Sequence, residues 1–266
     1  MMLTAGCARD TDSADLILIL YAFPAEGELL AKNMAVDRTH RMLGRQVKIG
    51  EIHDREIILA ESGIGMTNAA MTAQRLIDRY HPVKIVFSGI AGAVDSSVHI
   101  GDIVICTSWV THDFGYIGSE GLVPGDISSY HAAADSIVTT RYFHIDSAMR
   151  AEVTAISGRN LALDPIGERT PKVVVDGNGV SGNSFIDSRE KRMWLSGNFQ
   201  ALVTDMESAA VAQVCTANGI PFVIFRSASD LAGGSGSESA RDEIDQFFKV
   251  AAHNSARVVL QFLDEL

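Results

Sequence analysis

VTDMESAAVAQVCTANGIPFVIFRSASD, residues 203–230, reads as a helix followed by a strand, with an acidic residue at each functional end. Thr204 to Glu207 has the Thr-x-x-Glu form of a capping box, which predicts a helix start there. Met206, Ala209, Ala210, Gln213, Val214 and Ala217 continue at helical spacing. Asn218-Gly219 followed by Pro221 is a helix stop. Phe222 to Phe225 is a short apolar run of good strand formers, as expected for a strand buried on both faces. Asp230 is expected just beyond it, and open α/β sheets bind ligands outside the carboxyl ends of their strands. Two readings stand for each acid. Glu207 caps its helix or leaves the helix start to meet a ligand. Asp230 is a turn residue before a Gly-rich loop, or a catalytic acid.

The chain of 266 residues is long enough for one large α/β domain with a full core. Its hydrophobic content of 47% is that of a folding chain. A net charge of −11 argues against a general nucleic-acid or anionic-membrane surface, and no apolar run has the length of a membrane span. A small nucleoside ligand is compatible with that charge. The three cysteines, Cys7, Cys106 and Cys215, are far apart, so neither a metal cluster nor a disulfide framework follows from them. Residues 1–14 read as a polar, flexible leader and residues 15–266 as a single domain. Leu3-Thr4-Ala5-Gly6-Cys7 resembles the end of a bacterial lipoprotein signal, behind only two methionines. The expected location is cytoplasmic, with an exported lipoprotein as the alternative.

Working outward, Asp15 to Phe23 is a strong strand signal broken by Pro24, and Glu26 opens a helix. Gln46 to Ile52 and Arg55 to Ala60 read as a hairpin turning at His53-Asp54. Ser62-Gly63-Ile64-Gly65 is a glycine turn feeding a helix over Thr67–Arg79. Val83 to Phe87 is a buried strand ending in a second glycine turn, Ser88 to Gly92. Gly101 to Cys106 and Lys172 to Val175 read as strands, and Asp146 to Ile156 as a helix. Gly115 to Arg141 reads as an extended loop, and Gly177 to Gly182 as a third glycine turn. The chain closes with an amphipathic helix whose face includes Ile244, Phe247, Phe248, Val258, Phe262 and Leu263. Strands alternating with helices predict an α/β architecture, a central mixed sheet flanked by helices in three layers.

Several chemistries drop out. Gly63-Ile64-Gly65 lacks the third glycine of a dinucleotide fingerprint, a Walker lysine loop is missing, and so is a Gly-x-Ser-x-Gly elbow. The eight histidines are scattered; His112-Asp113 reads as structural or as part of a ligand rim. The remaining signal is the set of glycine turns together with Glu26, Glu207 and Asp230.

On these segments the sequence resembles the purine nucleoside phosphorylase superfamily, and within it the 5'-methylthioadenosine/S-adenosylhomocysteine nucleosidases. The resemblance is carried by Ala22-Phe23-Pro24-Ala25-Glu26, Ser62-Gly63-Ile64-Gly65, Gly89-Ile90-Ala91-Gly92 with Gly101-Asp102-Ile103-Val104, Ser181-Gly182-Asn183-Ser184-Phe185-Ile186, Asp205-Met206-Glu207-Ser208-Ala209-Ala210, and Arg226-Ser227-Ala228-Ser229-Asp230. It implies the nucleoside phosphorylase-like fold and three catalytic residues, Asp230, Glu26 and Glu207. Asp230 would protonate N7 of an adenine leaving group, helped by Ser229. Phe185 would stack on the base, and the backbone at Ile186 would read its edge. Met206 and Glu207 would lie under the ribose, Glu207 accepting from its hydroxyls. Glu26 would position and deprotonate the attacking water, with Arg226 as partner. Ile64, Ala91 and Gly92 join the substrate-binding set. The resemblance implies no cofactor and no metal, and a homodimer, for which apolar positions around Trp109–Tyr116 are the candidate contact.

Phosphate-using relatives place an arginine two residues before the glycine of the third strand's turn, where this chain has Phe87. A carboxylate at Glu26 repels phosphate and suits water activation, so hydrolysis is expected. The alternatives are a phosphorylase of the same fold and a non-enzymatic nucleoside-binding or storage protein. Ile90, Asp205, Pro24 and Gly27 depart from the family pattern, and the segment 115–164 is longer than in compact nucleosidases.

Overall fold

The computed structural model describes residues 15–159 and 161–266. The leader expected at residues 1–14, with Cys7, lies outside the described residues.

In chain order, the first half comprises β1 (Ile17–Tyr21), α1 (Pro24–Lys32), β2 (Ala35–Met42), β3 (Arg45–Ile52), β4 (Arg55–Glu61), α2 (Met66–Tyr80) and β5 (Lys84–Ala93). There follow β6 (Ile103–Ile105), β7 (Ser108–Thr111), β8 (Gly115–Gly118), β9 (Gly121–Pro124), β10 (Ile127–His131), β11 (Ser136–Thr140), β12 (Phe143–His144) and α3 (Ser147–Ser157). The last part contains β13 (Val173–Val175), β14 (Asn178–Ser181), α4 (Arg189–Phe199), β15 (Ala201–Asp205), α5 (Ser208–Asn218), β16 (Phe222–Asp230) and α6 (Ala240–Glu265).

Twelve of the strands form one mixed sheet, in the order β12-β7-β14-β15-β5-β1-β4-β3-β2, with β16, β6 and β13 branching from β5. β1, apolar at every position, is buried throughout because it pairs in parallel with β4 on one side and β5 on the other. α6 lies along β16 and β5 and packs on α1, while α2 packs on α5. This is the α/β arrangement expected, a central mixed sheet flanked by helices. The core includes Leu18, Ile19, Ile58, Val86, Phe87, Ile224, Phe225 and Phe262, all essentially inaccessible.

Local departures from the sequence expectation have identifiable causes. Pro24 does not merely end β1; it is the first residue of α1, where its missing N–H costs nothing, so Glu26 lies in the first turn rather than at the start. The capping box at Thr204–Glu207 does not form. Thr204 is in β15, α5 starts at Ser208, and Glu207 makes no side-chain cap bond. Asp205 takes that role, accepting from the amides of Glu207 (3.3 Å) and Ser208 (3.2 Å).

Residues 88–92 and 178–181, expected as turns, are strand. Their glycines are there for close packing: a Cβ on Gly179 would meet the Trp109 ring at 2.4 Å. The 115–141 excursion is two exposed hairpins, β8–β9 and β10–β11. β2 escapes the sequence pattern because it is an edge strand, exposed along most of its length and without apolar alternation. α4 escapes it because only Leu195 and Phe199 of its eleven residues are buried.

Candidate active site

β5 is the hub of the site. Along one edge β16 runs parallel to it, from Phe222 opposite Ile85 to Asp230 opposite Gly92. Along the other edge β1 pairs only as far as Leu20 opposite Phe87, and β15 joins only at Gly92 and Ala93. Between these two partners lies an interval, residues 88–91, paired to a strand on one edge alone. An unpaired buried amide is costly, so something must meet it. Glu26 does, its Oε1 accepting from the Ile90 amide at 2.8 Å and its Oε2 from the Ala22 amide at 2.6 Å.

A pocket of about 190 Å³ opens at this break. Glu26, Ile64, Ala91, Gly92, Phe185, Met206, Glu207, Ser229 and Asp230 all line it. Ile186 lines a recess of about 30 Å³ that adjoins it and shares Phe185, Met206 and Asp230. Arg226 alone of the expected set does not face the pocket: it is wholly buried behind it. Residues that spacing did not single out for the site also line it. Phe23 and Ile244 supply apolar wall, and Thr204 presents a buried hydroxyl without a protein hydrogen-bond partner among the described residues. A strand assignment for Thr204, in place of the capping box, was the signal that would have found it. His112 is buried against Gly182 rather than in the pocket, in line with the structural reading.

One end of the pocket is a charge cluster. The Arg226 guanidinium pairs with Asp205 Oδ2 through Nε at 2.7 Å, with Glu207 Oε2 at 3.6 Å and with Glu26 Oε1 at 3.8 Å. Its flat face lies 4.2 Å from the Phe87 ring centroid. Gly89 is required here, since a Cβ would fall 1.8 Å from Arg226 Nη1 and 2.6 Å from Glu26 Oε1. Asp205 is held in turn by the Ser208 hydroxyl and by the Ser181 hydroxyl at 2.5 Å. Glu207 Oε1 accepts from the Gly65 amide at 2.8 Å, which ties the 62–65 turn to the cluster.

Three carboxylates therefore share one guanidinium. Burial lowers the Arg226 pKa, but Asp205, Glu26 and Glu207 outweigh it and hold it above the ordinary value. The carboxylates cannot all be compensated. Burial pushes Glu207 up to about 8 against the pull of Arg226, with Asp205 adding to the rise. Burial also raises Glu26, which Arg226 and the amides of Ile90 and Ala22 only partly offset.

At the other end Asp230 makes no ion pair among the described residues. Asp230 Oδ1 accepts from the Ala232 amide at 2.8 Å, and Oδ2 from the Ser229 hydroxyl at 2.9 Å. Burial raises its pKa to about 6, against the opposing pull of those two donors. A carboxyl of this kind is a proton donor near neutral pH.

Residues 16–264 match the profile of the Phosphorylase superfamily. The 5'-methylthioadenosine/S-adenosylhomocysteine nucleosidase of Bacillus thuringiensis is 32% identical over 256 residues, which span 94% of this chain and 99% of that protein. The chain belongs to the phosphorylase superfamily. Another superfamily member, the 5'-methylthioadenosine/S-adenosylhomocysteine nucleosidase of Staphylococcus saprophyticus, is 34% identical over 216 residues, 79% of this chain and 82% of that one. The chain falls with these nucleosidases, as its motifs implied. Among solved structures, the S-adenosylhomocysteine nucleosidase of Streptococcus pyogenes in complex with 5-methylthiotubericidin superposes with a TM-score of 0.77 at 28% identity, covering 96% of this chain and 99% of that one. The futalosine hydrolase of Helicobacter pylori superposes with a TM-score of 0.77 at 26% identity, covering 95% of this chain and 98% of that one. No helix among the described residues is long and apolar enough to cross a membrane.

Proposed function

We propose that the protein hydrolyses the N-glycosidic bond of an adenosine-type nucleoside, 5'-methylthioadenosine or S-adenosylhomocysteine, releasing adenine and the free ribose derivative. The observation that carries this reading is the division of the pocket into a lone acid at Asp230 and an acid-rich cluster around Arg226.

Breaking the glycosidic bond pushes electrons onto the purine and leaves positive charge on the sugar. Asp230 donates its proton to N7 as the bond breaks, and help of this kind contributes about 10²–10⁴-fold. The Ser229 hydroxyl has two acceptors, the Ala91 carbonyl at 3.4 Å and Asp230 Oδ2 at 2.9 Å, and donating to Asp230 Oδ2 stabilises the carboxylate left as the proton moves to N7. Phe185 stacks on the base and Ile186 closes its edge. Met206 and Glu207 lie under the ribose, where Glu207 accepts from the hydroxyls. The carboxyl oxygens that line this end of the pocket favour a developing oxocarbenium ion. Glu26, fixed by two amides, orients water and takes its proton; burial raises its pKa, which makes its carboxylate a stronger base.

Phosphate is disfavoured as the nucleophile. Phe87 occupies the position where phosphate-using relatives are expected to place an arginine, and its ring lies against Arg226. Arg226 is already shared among three carboxylates that would repel a dianion. The same carboxylates weigh against a storage role, which needs no buried charge of this kind.

The reading includes a homodimer and a cytoplasmic location. Trp109 and Val110 are buried and cannot supply the contact, but Phe114, Tyr116, Ile117 and Val123, on and around the β8–β9 hairpin, are exposed. Sedimentation and cell fractionation test these two points. The activity is tested by following 5'-methylthioadenosine in phosphate-free buffer and then with phosphate. Free adenine without phosphate is expected; cleavage only with phosphate overturns hydrolysis.

A further inference from the structure

One buried charge near the pocket has no part in the reaction described above. Glu243 lies in the first turn of α6 and is 2% exposed. Its Oε2 accepts from the Leu231 amide at 2.8 Å. Leu231 is the residue after Asp230, and the next amide, Ala232, is the one that donates to Asp230 Oδ1. The next residue of α6, Ile244, lines the pocket. The end of β16 that carries the acid is thus bonded to the helix across it, and Ala232 keeps an unusual backbone (φ 45°) in that turn.

We infer that Glu243 is a positioning residue for Asp230: its carboxylate clamps the Leu231 amide, fixing the 230–232 turn that aims the acid, and its negative charge helps the acid keep its proton. The inference rests on the reading of Asp230 as the proton donor. The first part follows from geometry, since a carboxylate bonded to a backbone amide restrains that peptide's orientation. The second follows from like charge: Glu243 holds the residue next to Asp230, and a carboxylate there disfavours ionisation of its neighbour. Other groups face Asp230 and act with or against Glu243. Asp187, before α4, has its Oδ1 on the Ala240 amide at the start of α6 and also opposes ionisation of Asp230. Arg192, on α4, donates through Nε to the Val94 carbonyl at 2.8 Å and faces Glu243, Asp95 and Asp230. As a cation it opposes the effect of Glu243 on Asp230, and Glu243 and Asp95 share its charge.

The test is a pH profile of kcat/KM and kcat for the full chain, its Glu243→Gln and Glu243→Ala variants, and Asp230→Asn. An acid that must be protonated sets the basic limb, where activity falls as pH rises. Glu243→Gln keeps an acceptor for the Leu231 amide and loses the charge, so its basic limb is expected about one unit lower, a loss of about tenfold on the alkaline side. Glu243→Ala loses the clamp as well, and its plateau kcat is expected to fall at every pH, with KM changed less than kcat. A basic limb that stays in place in Glu243→Gln, or a uniform fall in that variant, overturns the electrostatic part. An unchanged plateau in Glu243→Ala overturns the clamp. Asp230→Asn separates these outcomes from the parent reading: if its residual activity keeps the same basic limb, Asp230 is not the acid, whatever the Glu243 variants do.

Discussion

The two ends of the pocket are built from the same residue type and behave differently. At the Arg226 end, Glu26, Asp205 and Glu207 converge on a guanidinium. At the Asp230 end, a carboxyl meets only a hydroxyl and an amide. Burial raises carboxyls at both ends. At the cluster the penalty is spread across groups that compete for one cation, so the cluster's charge is shared rather than local. At Asp230 the penalty falls on a single group, and two neutral donors hold it to about 6. Burial holds protons on both ends beyond the usual carboxylate range, and what separates the ends is their partners: a shared guanidinium for Glu26, Asp205 and Glu207, two neutral donors for Asp230.

The sharpest way to break this contrast is at the lone acid. Asp230→Asn keeps the shape and an acceptor for the Ala232 amide but removes the acidic proton, and kcat is expected to fall by about 10²–10⁴-fold with KM little changed. Steady-state adenine release checks it; a fall below tenfold would mean that the acid end is not doing the chemistry assigned to it.

The cluster is tested by removing its cation. Arg226→Met leaves three buried carboxylates unpaired, and breaking a buried pair costs about 3–5 kcal/mol. Denaturant unfolding should register that loss together with lost activity. Asp230→Asn, by contrast, is expected to leave stability unchanged or slightly raised at neutral pH, because it removes a buried ionisable group.

Both ends contribute to stability against pH with the same sign. Glu207 moves from 4.5 to about 8 and Asp230 from 3.8 to about 6 on folding. The folded state therefore binds these protons more tightly than the unfolded chain. The stability they contribute is complete below the unfolded values and is lost as pH rises, through about 6 for Asp230 and about 8 for Glu207. The melting temperature of the ligand-free protein is expected to decline between about pH 4 and pH 8. Glu207→Gln should flatten the upper part of that decline and Asp230→Asn the lower part. A decline left intact in both variants would place its origin elsewhere.

The smallest effect belongs to the base wall. Phe185 is 45% exposed and touches neither set of charges. Phe185→Leu should raise KM by a few-fold with kcat nearly unchanged, since aromatic stacking contributes about 0.5–1.5 kcal/mol beyond area.

Much of this was legible in the chain itself. The apolar run of β1, the closing helix α6 and the helix–strand pair α5–β16 are local patterns, and local patterns survive folding because period and burial agree. The spacing of Glu207 and Asp230 around that pair put both at one end of the sheet. Sequence by itself thus determined the α/β class, the order of its main elements and the residue types available to the site. Only the tertiary structure decided which partners each acid has. Residues 88–92 look like a turn because they are glycine-rich, yet they are strand, and the glycines make room for Arg226 and Glu26. Thr204–Glu207 has a capping box, yet Glu207 reaches across to Gly65, 142 positions away in the chain, and Asp205 caps instead. Glu243 is a charged residue in the first turn of α6, where side chains are usually exposed, yet it is buried and bonded to the Leu231 amide. The reason is common to all three. A side chain's pKa and partner depend on charges and amides brought near it by distant strands, and in a buried site those long-range terms outweigh the local ones that spacing can express.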